Sequence, residues 1–293
     1  MFPAAFDYLQ AHSADEALAA LAQHGGDARV LAGGQSLIPA MRFSLAQPAI
    51  LLDINPIAEL AYMREGDGFL EIGACERDAA LEVSPIIASR YHLIADASKL
   101  VADPVVRQSG TVVGSLCHND PAGDWPTVAL ASRAQLTIRN SKGSRTVAAD
   151  DFFVDSFSTA VADGEMAFSV RFPTPSGRTS GSYQKIERKV GDFATASAAV
   201  QLTLADDGTI RDAGIAIGAV GPKATRVAAA EALLNGQKPT RDLIRAAAEE
   251  AKKIADPSPD QRGSAEYKRE MAGVLVARGL VASLGRLGVK VEA

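Results

Sequence analysis

Cysteine is scarce in this sequence: its 293 residues include two, Cys75 and Cys117. An iron–sulfur cluster normally takes four cysteine ligands, so this chain does not hold a cluster alone. Two scattered thiols are typical of a cytosolic protein, although the sequence leaves a disulfide between them open. The four histidines show no metal-site spacing with one another or with the cysteines. We therefore expect no metal site in this chain.

Long hydrophobic runs and an excess of basic residues are also missing. Charged residues interrupt every apolar stretch before it reaches the length of a membrane-spanning helix. The segment Met1–Asp7 lacks the basic region and apolar core of a signal peptide. The formal net charge is −5, which argues against nucleic acid or an anionic membrane as the main partner. We expect a cytoplasmic protein without membrane insertion.

The length and composition are those of a globular protein with two domains. Hydrophobic residues make up 47% of the chain and charged residues 22%, and 293 residues are enough for two buried cores. The stretch Pro173–Ser182 is rich in proline, glycine and hydroxyl residues, which is typical of a linker. We place the first domain at residues 1–175, with subdomains at about 1–55 and 56–175, and the second at residues 176–293.

Hydrophobic periodicity and capping signals predict the main elements of both domains. The first domain is expected to contain helices at 13–23, 86–101 and 124–133, the last with Asp124 as a plausible N-cap. The second is expected to begin with three strands, at 181–189, 194–204 and 210–220. Helices at 224–234, 240–254 and 264–284 follow. Strands followed by helices indicate an α+β fold.

Two short glycine-bearing segments, Ala32–Ser36 and Thr111–Ser115, give the strongest functional signal. Glycine has no Cβ, so a phosphate can approach its backbone closely, and a helix N-terminus attracts a pyrophosphate. The first segment leads into a predicted short helix at about 36–43. The Gly-x-Gly-x-x-Gly pattern of Rossmann folds is absent. Two such segments suggest a dinucleotide gripped from both sides, with ordinary strand-to-helix turns as the alternative.

The residues around these segments resemble the two flavin-binding segments of a known family. The first resemblance covers Leu31–Met41, Pro48 and Leu51–Ile54, and the second covers Arg107–Asp124. The family is the FAD-binding medium subunit of molybdenum hydroxylases, of the carbon monoxide dehydrogenase and xanthine dehydrogenase type. The resemblance extends from Phe6 to the C-terminal helices.

This resemblance implies a fold and a role. The fold is a two-part FAD-binding domain of the vanillyl-alcohol-oxidase (PCMH) type, followed by a smaller α+β domain. The chain is expected to bind FAD non-covalently. The [2Fe–2S] clusters belong to a small partner subunit and the molybdenum cofactor to a large one, in a dimer of heterotrimers. The flavoprotein is expected to take electrons from the small subunit and pass them to an external acceptor.

Two other readings of the sequence stay open. One is a free-standing FAD-dependent oxidase or reductase of the same fold. The other is a cofactor-free assembly or scaffold protein. No Ser/His/Asp or Cys/His grouping indicates a catalytic residue of the chain's own.

The resemblance, together with the glycine segments, gives the expected cofactor contacts. They are Arg29, Val30, Leu31, Ala32, Gly33, Gly34, Gln35, Ser36, Val101, Thr111, Gly114, Ser115, Asp124, Lys185 and Phe193.

Several of these residues also have plain structural interpretations. Arg29 is equally well read as a solvated arginine on an edge strand, and Val101 as helix packing. By composition alone Lys185 is a solvated surface lysine and Phe193 a core aromatic residue.

The sequence departs from the family pattern at several positions, among them Val113 and Phe193. Val113 stands where the family usually has the first glycine of a pair, and a β-branched residue resists positive φ. We therefore expect close phosphate approach at Gly114 rather than at Val113. Phe193 stands where many relatives have tyrosine, so an apolar ring face remains but the phenolic hydroxyl is lost.

Overall fold

The chain opens with a small parallel sheet. In the computed structural model, which describes residues 2–291, this sheet has three strands in the order β1-β3-β2. They are β1 (Asp7–Gln10), β2 (Ala28–Leu31) and β3 (Ile50–Asp53). Leu51 and Leu52 of β3 are buried, as expected for the central strand of a sheet.

Two helices make the crossovers that parallel strands require. They are α1 (Ala14–His24), between β1 and β2, and α2 (Leu37–Arg42), between β2 and β3. The Oγ atom of Ser13 accepts a hydrogen bond from the Glu16 N–H and caps α1 at the predicted position. Leu18 and Leu21 of α1 are buried, which matches their helical spacing.

The middle of the chain forms an antiparallel sheet of five strands, in the order β4-β5-β10-β6-β7. The strands of this region are β4 (Met63–Gly66), β5 (Phe69–Gly73), β6 (Gln135–Asn140), β7 (Gly143–Ala148), β8 (Phe153–Asp155), β9 (Ser158–Thr159) and β10 (Met166–Pro173). Strands β8 and β9 form a separate two-stranded ribbon.

Short helices pack around this sheet. They are α3 (Asp78–Val83), α4 (Pro85–Arg90), α5 (His92–Leu100), α6 (Pro104–Arg107), α7 (Val112–His118), α8 (Asp124–Ala131) and α9 (Ala149–Phe152). The single helix predicted at 86–101 is wrong, because the chain leaves helical geometry at Tyr91 (φ −110°, ψ 61°). The Tyr91 ring is buried there, and its hydroxyl donates to Glu65 Oε1 (2.5 Å) and lies 3.2 Å from Thr174 Oγ1.

The last part of the chain is a second antiparallel sheet followed by three helices. The elements are β11 (Arg178–Ile186), β12 (Ala196–Leu204), β13 (Ile210–Gly218), β14 (Thr225–Arg226), α10 (Ala228–Leu234), α11 (Arg241–Ile254) and α12 (Ala265–Arg286). The predicted three-stranded sheet is therefore wrong by one strand. Residues Thr225–Arg226, predicted as the start of a helix, pair with β13 instead.

The β11–β14 sheet lies between two layers of helices. Side chains of a strand alternate between faces. Ala198 and Val200 belong to the core formed with α10–α12, while Ala199 belongs to the core of the preceding part. Helices α5 and α8 cover that second face. Gly214 permits the contact, because a Cβ there would lie 1.9 Å from the Ala131 carbonyl oxygen.

Within residues 2–291, no helix is both long and apolar enough to cross a membrane. The proposed domain and subdomain boundaries stay predictions.

Candidate functional site

The first glycine segment connects β2 to α2. Gly34 has a left-handed backbone (φ +71°), which favours glycine. Within residues 2–291, the backbone N–H groups of residues 33–37 have no hydrogen-bond acceptor. The carbonyl oxygens of Gly34 and Ser36, in contrast, accept hydrogen bonds from N–H groups of α2. Unpaired N–H groups ahead of a helix are suited to bind an anion.

The second glycine segment is the first turn of a helix, not the turn that the sequence predicted. Thr111 is the N-cap of α7, and its Oγ1 accepts a hydrogen bond from the Gly114 N–H at 3.1 Å. Val113 is buried and is not among the residues with positive φ, so its β-branched side chain fits the local backbone without strain. The glycine missing at this position is therefore not needed for a left-handed conformation.

The structure brings the first segment into direct contact with residues 109–110, which immediately precede the second segment. A Cβ on Gly33 would lie 2.4 Å from the Ser109 carbonyl oxygen and 2.9 Å from the Gly110 Cα. The backbone of the first segment therefore lies directly on the turn that precedes α7. A side chain at Gly33 would force the two segments apart.

A buried ion cluster forms a second part of the site. The Lys185 Nζ lies 3.2 Å from Asp124 Oδ2 and 3.3 Å from Glu187 Oε2, and it donates to the Leu100 carbonyl oxygen at 2.9 Å. The Lys185 side chain is 1% exposed, so its interpretation as a solvated surface lysine is wrong. Strand β11 packs against α5, which removes this side chain from water.

Asp124 is held from two sides. Its Oδ1 accepts a hydrogen bond from the Tyr183 hydroxyl at 2.6 Å. Burial raises the pKa of the Asp124 carboxyl, although Lys185 and Tyr183 act in the opposite direction. Burial and the nearby Asp124 raise the pKa of Tyr183 well above its usual value, so this hydroxyl stays a donor. Asp124 is the first residue of α8, and the N-cap is Gly123, which corrects the capping role expected from the sequence.

Tyr183 and Glu187 are site residues that the sequence reasoning missed. They flank Lys185 at alternate positions, and this period-2 spacing on a strand is the one sequence signal that could have identified them.

The remaining predicted contacts lie near these two parts or on the surface. Val101 follows α5 directly and is buried. Phe193, in the connection between β11 and β12, is 49% exposed, so it is not the core aromatic residue of the alternative reading. The Arg262 guanidinium lies 6.0 Å from the centre of its ring. Arg29 is exposed on β2, which is an edge strand. Val30 and Leu31 of β2 are half-buried.

One buried side chain links the two parts. Trp125, next to Asp124, donates its Nε1–H to Asp78 Oδ1 at 3.0 Å, and the Asp78 N–H donates to the Gly110 carbonyl oxygen at 2.9 Å. Trp125 is fully buried. Burial raises the pKa of the Asp78 carboxyl to about 7.

Neither cysteine is part of a disulfide, and Cys75 is buried. In the part of the chain that the structure describes, no cluster of three or more His, Cys, Asp or Glu side chains is placed to hold a metal ion.

Two protein families match this chain in succession. The family described as FAD binding domain in molybdopterin dehydrogenase matches residues 4–175, and CO dehydrogenase flavoprotein C-terminal domain matches residues 181–282. The chain belongs to the FAD-binding subunits of the molybdenum hydroxylases. The predicted α+β fold, a PCMH-type FAD-binding domain followed by a smaller domain, is confirmed.

Individual members of this family are similar along almost the whole chain. The carbon monoxide dehydrogenase medium chain of Hydrogenophaga pseudoflava is 40% identical over 286 residues, which cover 98% of this chain and 99% of the relative. Subunit alpha of the 6-hydroxypseudooxynicotine dehydrogenase complex of Paenarthrobacter nicotinovorans is 35% identical, with 98% and 97% covered. A solved structure of the H. pseudoflava carbon monoxide dehydrogenase superimposes with a TM-score of 0.94 at 42% identity, covering 98% and 99%. Membership in the medium subunits is thereby confirmed.

The cofactor of this family is FAD, and the residues present are suited to it. A pyrophosphate needs donors, and residues 33–37 have unpaired N–H groups at a left-handed glycine. An isoalloxazine ring needs polar partners and an apolar cover. The buried Lys185 and the exposed Phe193 ring are of those two types.

Proposed function

We propose that this chain is the FAD-binding electron-transfer subunit of a molybdenum hydroxylase complex. In this role it takes electrons from a small [2Fe–2S] subunit and passes them to an external acceptor. The observation that carries the proposal is the contact between Gly33 and Ser109, which places the first segment and its unpaired N–H groups on the turn before α7 in a chain of this family.

The two segments form the proposed pyrophosphate cradle. The N–H groups of residues 33–37 donate to phosphate oxygens, with the Ser36 and Ser115 hydroxyls as further partners. Gly34 allows the left-handed backbone of this segment. Arg29, exposed on β2, donates from Nη1 to the Gly26 and Ala28 carbonyl oxygens and stays a proposed cofactor contact.

The ion cluster forms the proposed flavin end. The Lys185 ammonium lies in a place of low water access, where it donates to the Leu100 carbonyl oxygen and pairs with Asp124 and Glu187. Val101 and the Phe193 ring supply the apolar cover. When bound, FAD supplies a redox centre that accepts single electrons and releases two.

The partners in this proposal follow from what the chain lacks and from its relatives. With two cysteines, the chain does not supply the ligands of a [2Fe–2S] cluster. The relatives are a medium chain and a subunit of a dehydrogenase complex. We therefore propose a small [2Fe–2S] subunit and a large molybdenum subunit, in a dimer of heterotrimers in the cytoplasm. Because the two relatives are named for different substrates, they do not select one for this chain.

Co-purification from the native source tests this proposal. The complex captured through a tag on this chain is expected to contain FAD, iron and molybdenum. A matched Gly34→Val chain should capture the same iron and molybdenum with less FAD, because position 34 is left-handed. FAD without iron or molybdenum would favour the free-standing flavoprotein. Iron and molybdenum without any flavin would contradict the electron-transfer role.

A further inference from the structure

A half-buried guanidinium lies at the junction of the two proposed FAD segments. Arg77, between β5 and α3, donates from Nη1 to the Ser109 carbonyl oxygen at 2.6 Å and from Nη2 to Asn55 Oδ1 at 2.6 Å. Ser109 precedes α7, and Asn55 follows β3. One side chain therefore joins the five-stranded sheet, the parallel sheet and the turn before α7.

Asn55 continues this link to the first segment. Its Nδ2 donates to the Ala32 carbonyl oxygen at 2.8 Å and to Asp53 Oδ1 at 2.6 Å. Ala32 is the residue immediately before Gly33. Consecutive hydrogen bonds thus connect Ala32 through Asn55 and Arg77 to Ser109. Ala32 and Ser109, the two ends of this series of hydrogen bonds, lie beside the proposed cradle.

Backbone contacts also connect the two segments. The Ser109 carbonyl oxygen that accepts from Arg77 is the atom on which Gly33 packs, since a Cβ there would lie 2.4 Å away. The main chain of Arg77 also forms an antiparallel bridge with Thr111, the N-cap of α7. Separating the two segments would therefore break hydrogen bonds to a charged group, which are stronger than neutral ones.

We propose that Arg77 is a positioning residue of the FAD site, which acts through Asn55 and Ser109 to fix the spacing of residues 32–36 and 109–115. The inference rests on the proposed function, because it takes these segments as the pyrophosphate cradle. Holding both segments in place before binding removes an ordering cost from association. The Arg77 guanidinium donates to an amide oxygen and a carbonyl oxygen, which are both uncharged. These contacts do not neutralise its positive charge, which lies near the proposed pyrophosphate.

The first test compares the FAD dissociation constant of deflavinated wild type with that of Arg77→Met. Loss of hydrogen bonds to a charged group should weaken binding roughly ten- to a hundredfold. Arg77→Lys should fall between the two, because a single ammonium does not reproduce the guanidinium fork. The matched control is Arg64→Met, which removes an exposed arginine paired with Glu71 on the sheet surface and should leave the constant within about twofold.

A double-mutant cycle separates this role from a general loss of stability. Because Asn55→Ala and Arg77→Met break the same link, the double variant should bind FAD about as well as Arg77→Met alone. In the FAD-free protein, amide hydrogen exchange of Ile38, whose N–H donates to Gly34, and of Gly114 and Ser115, whose N–H groups donate to Thr111, should rise in Arg77→Met and not in Arg64→Met. Should Arg77→Met fail to fold, Arg77→Lys and Asn55→Ala allow the same comparisons.

The outcomes separate this inference from the proposed function. Unchanged exchange at both segments, or losses of affinity that add in the double variant, would overturn the role of Arg77 while wild type still binds FAD. A wild-type protein that binds no FAD would overturn the proposed function itself.

Discussion

The Lys185 ammonium and the Asp124 carboxylate form an ion pair at 3.2 Å, with side chains 1% and 9% exposed. This pair joins β11 to the first turn of α8, and it brings together residues that are 61 positions apart. The Glu187 carboxylate forms a second ion pair with the same ammonium, with Oε2 3.3 Å from Nζ. One buried cation thus balances two carboxylates, and removing it leaves both without a counter-charge.

Replacing Lys185 by Met should therefore destabilise the protein by about 3–5 kcal/mol, the range for breaking a buried ion pair. Adding Asp124→Asn should recover part of the loss, because one uncompensated charge is removed. The control is Lys253→Met, at an ammonium 66% exposed, which should change the unfolding free energy by about 1 kcal/mol or less. Urea unfolding of the four proteins gives the answer. Equal effects at positions 185 and 253 would contradict the cluster's role.

Gly34→Val should weaken FAD binding much more than Val113→Gly. Valine at 34 meets a left-handed backbone, and its Cβ would lie 2.9 Å from the Ile38 Cδ1; the backbone conformation alone costs roughly 1–2 kcal/mol. Val113→Gly should instead lower the unfolding free energy by roughly 2 kcal/mol, since it removes a buried side chain from a helix. Titration of apoprotein with FAD and urea unfolding measure the two effects. Equal losses of affinity would show that the first segment is not the main cradle.

The bound FAD should be non-covalent, with one per chain. Neither Cys75 nor Cys117 lies in the two glycine segments, and Cys75 is buried. Acid precipitation should move all the flavin into the supernatant as FAD. Flavin that stays in the pellet, or FMN in the supernatant, would contradict this expectation.

Asp78 should make stability depend on pH near neutrality. Burial raises its pKa from 3.8 to about 7; Asp124 adds to the rise, while Trp125, Arg107 and Arg77 oppose it. Between about pH 4 and about pH 7 the folded state keeps a proton that the unfolded state has released, so the unfolding free energy falls as pH rises through that window and levels off above it.

The variant Asp78→Asn isolates this contribution, because it keeps an acceptor for the Trp125 Nε1–H. Its stability relative to wild type should improve by roughly 2–4 kcal/mol between about pH 4 and about pH 8. Urea unfolding of both proteins across this range measures the difference. A difference that stays constant with pH would show that Asp78 does not titrate as described.

Gly214→Ala should disrupt the packing of the β11–β14 sheet on α8. A Cβ at this position would lie 1.9 Å from the Ala131 carbonyl oxygen, which belongs to a helix end and moves only with its backbone. We expect a loss of roughly 2 kcal/mol or more, typical of overpacking. Gly66→Ala is the matched control, because its Cβ would meet nothing within 4 Å. Thermal unfolding midpoints that fall equally in both variants would contradict this account.

Most of the fold could be predicted because its signals are local. The N-cap residue Ser13 begins α1, whose observed ends lie within one residue of the predicted helix at 13–23. The split at Tyr91 could not be predicted in this way. The tyrosine hydroxyl there donates to Glu65 and lies beside Thr174, which are 26 and 83 positions away.

In the candidate site, too, the features set by neighbouring residues could be predicted from the sequence, and those set by distant contacts could not. The glycine segments can be recognised from the sequence, because a cradle of backbone N–H groups needs contiguous residues of particular types. The burial of Lys185 cannot be recognised from the sequence, since its counter-charge Asp124 is distant in sequence. Arg77 and Asn55 have no local pattern at all, and their link exists only after three separate parts of the chain have packed together.

The most direct test of the electron-transfer role follows the visible absorbance of the flavin in the isolated, FAD-loaded chain without oxygen. Adding the reduced small [2Fe–2S] subunit should bleach the flavin, and carbon monoxide, aldehydes or purines added alone should not. Bleaching by one of these substrates in the isolated chain, or no bleaching with the reduced subunit, would contradict the proposal that this chain is an electron-transfer subunit.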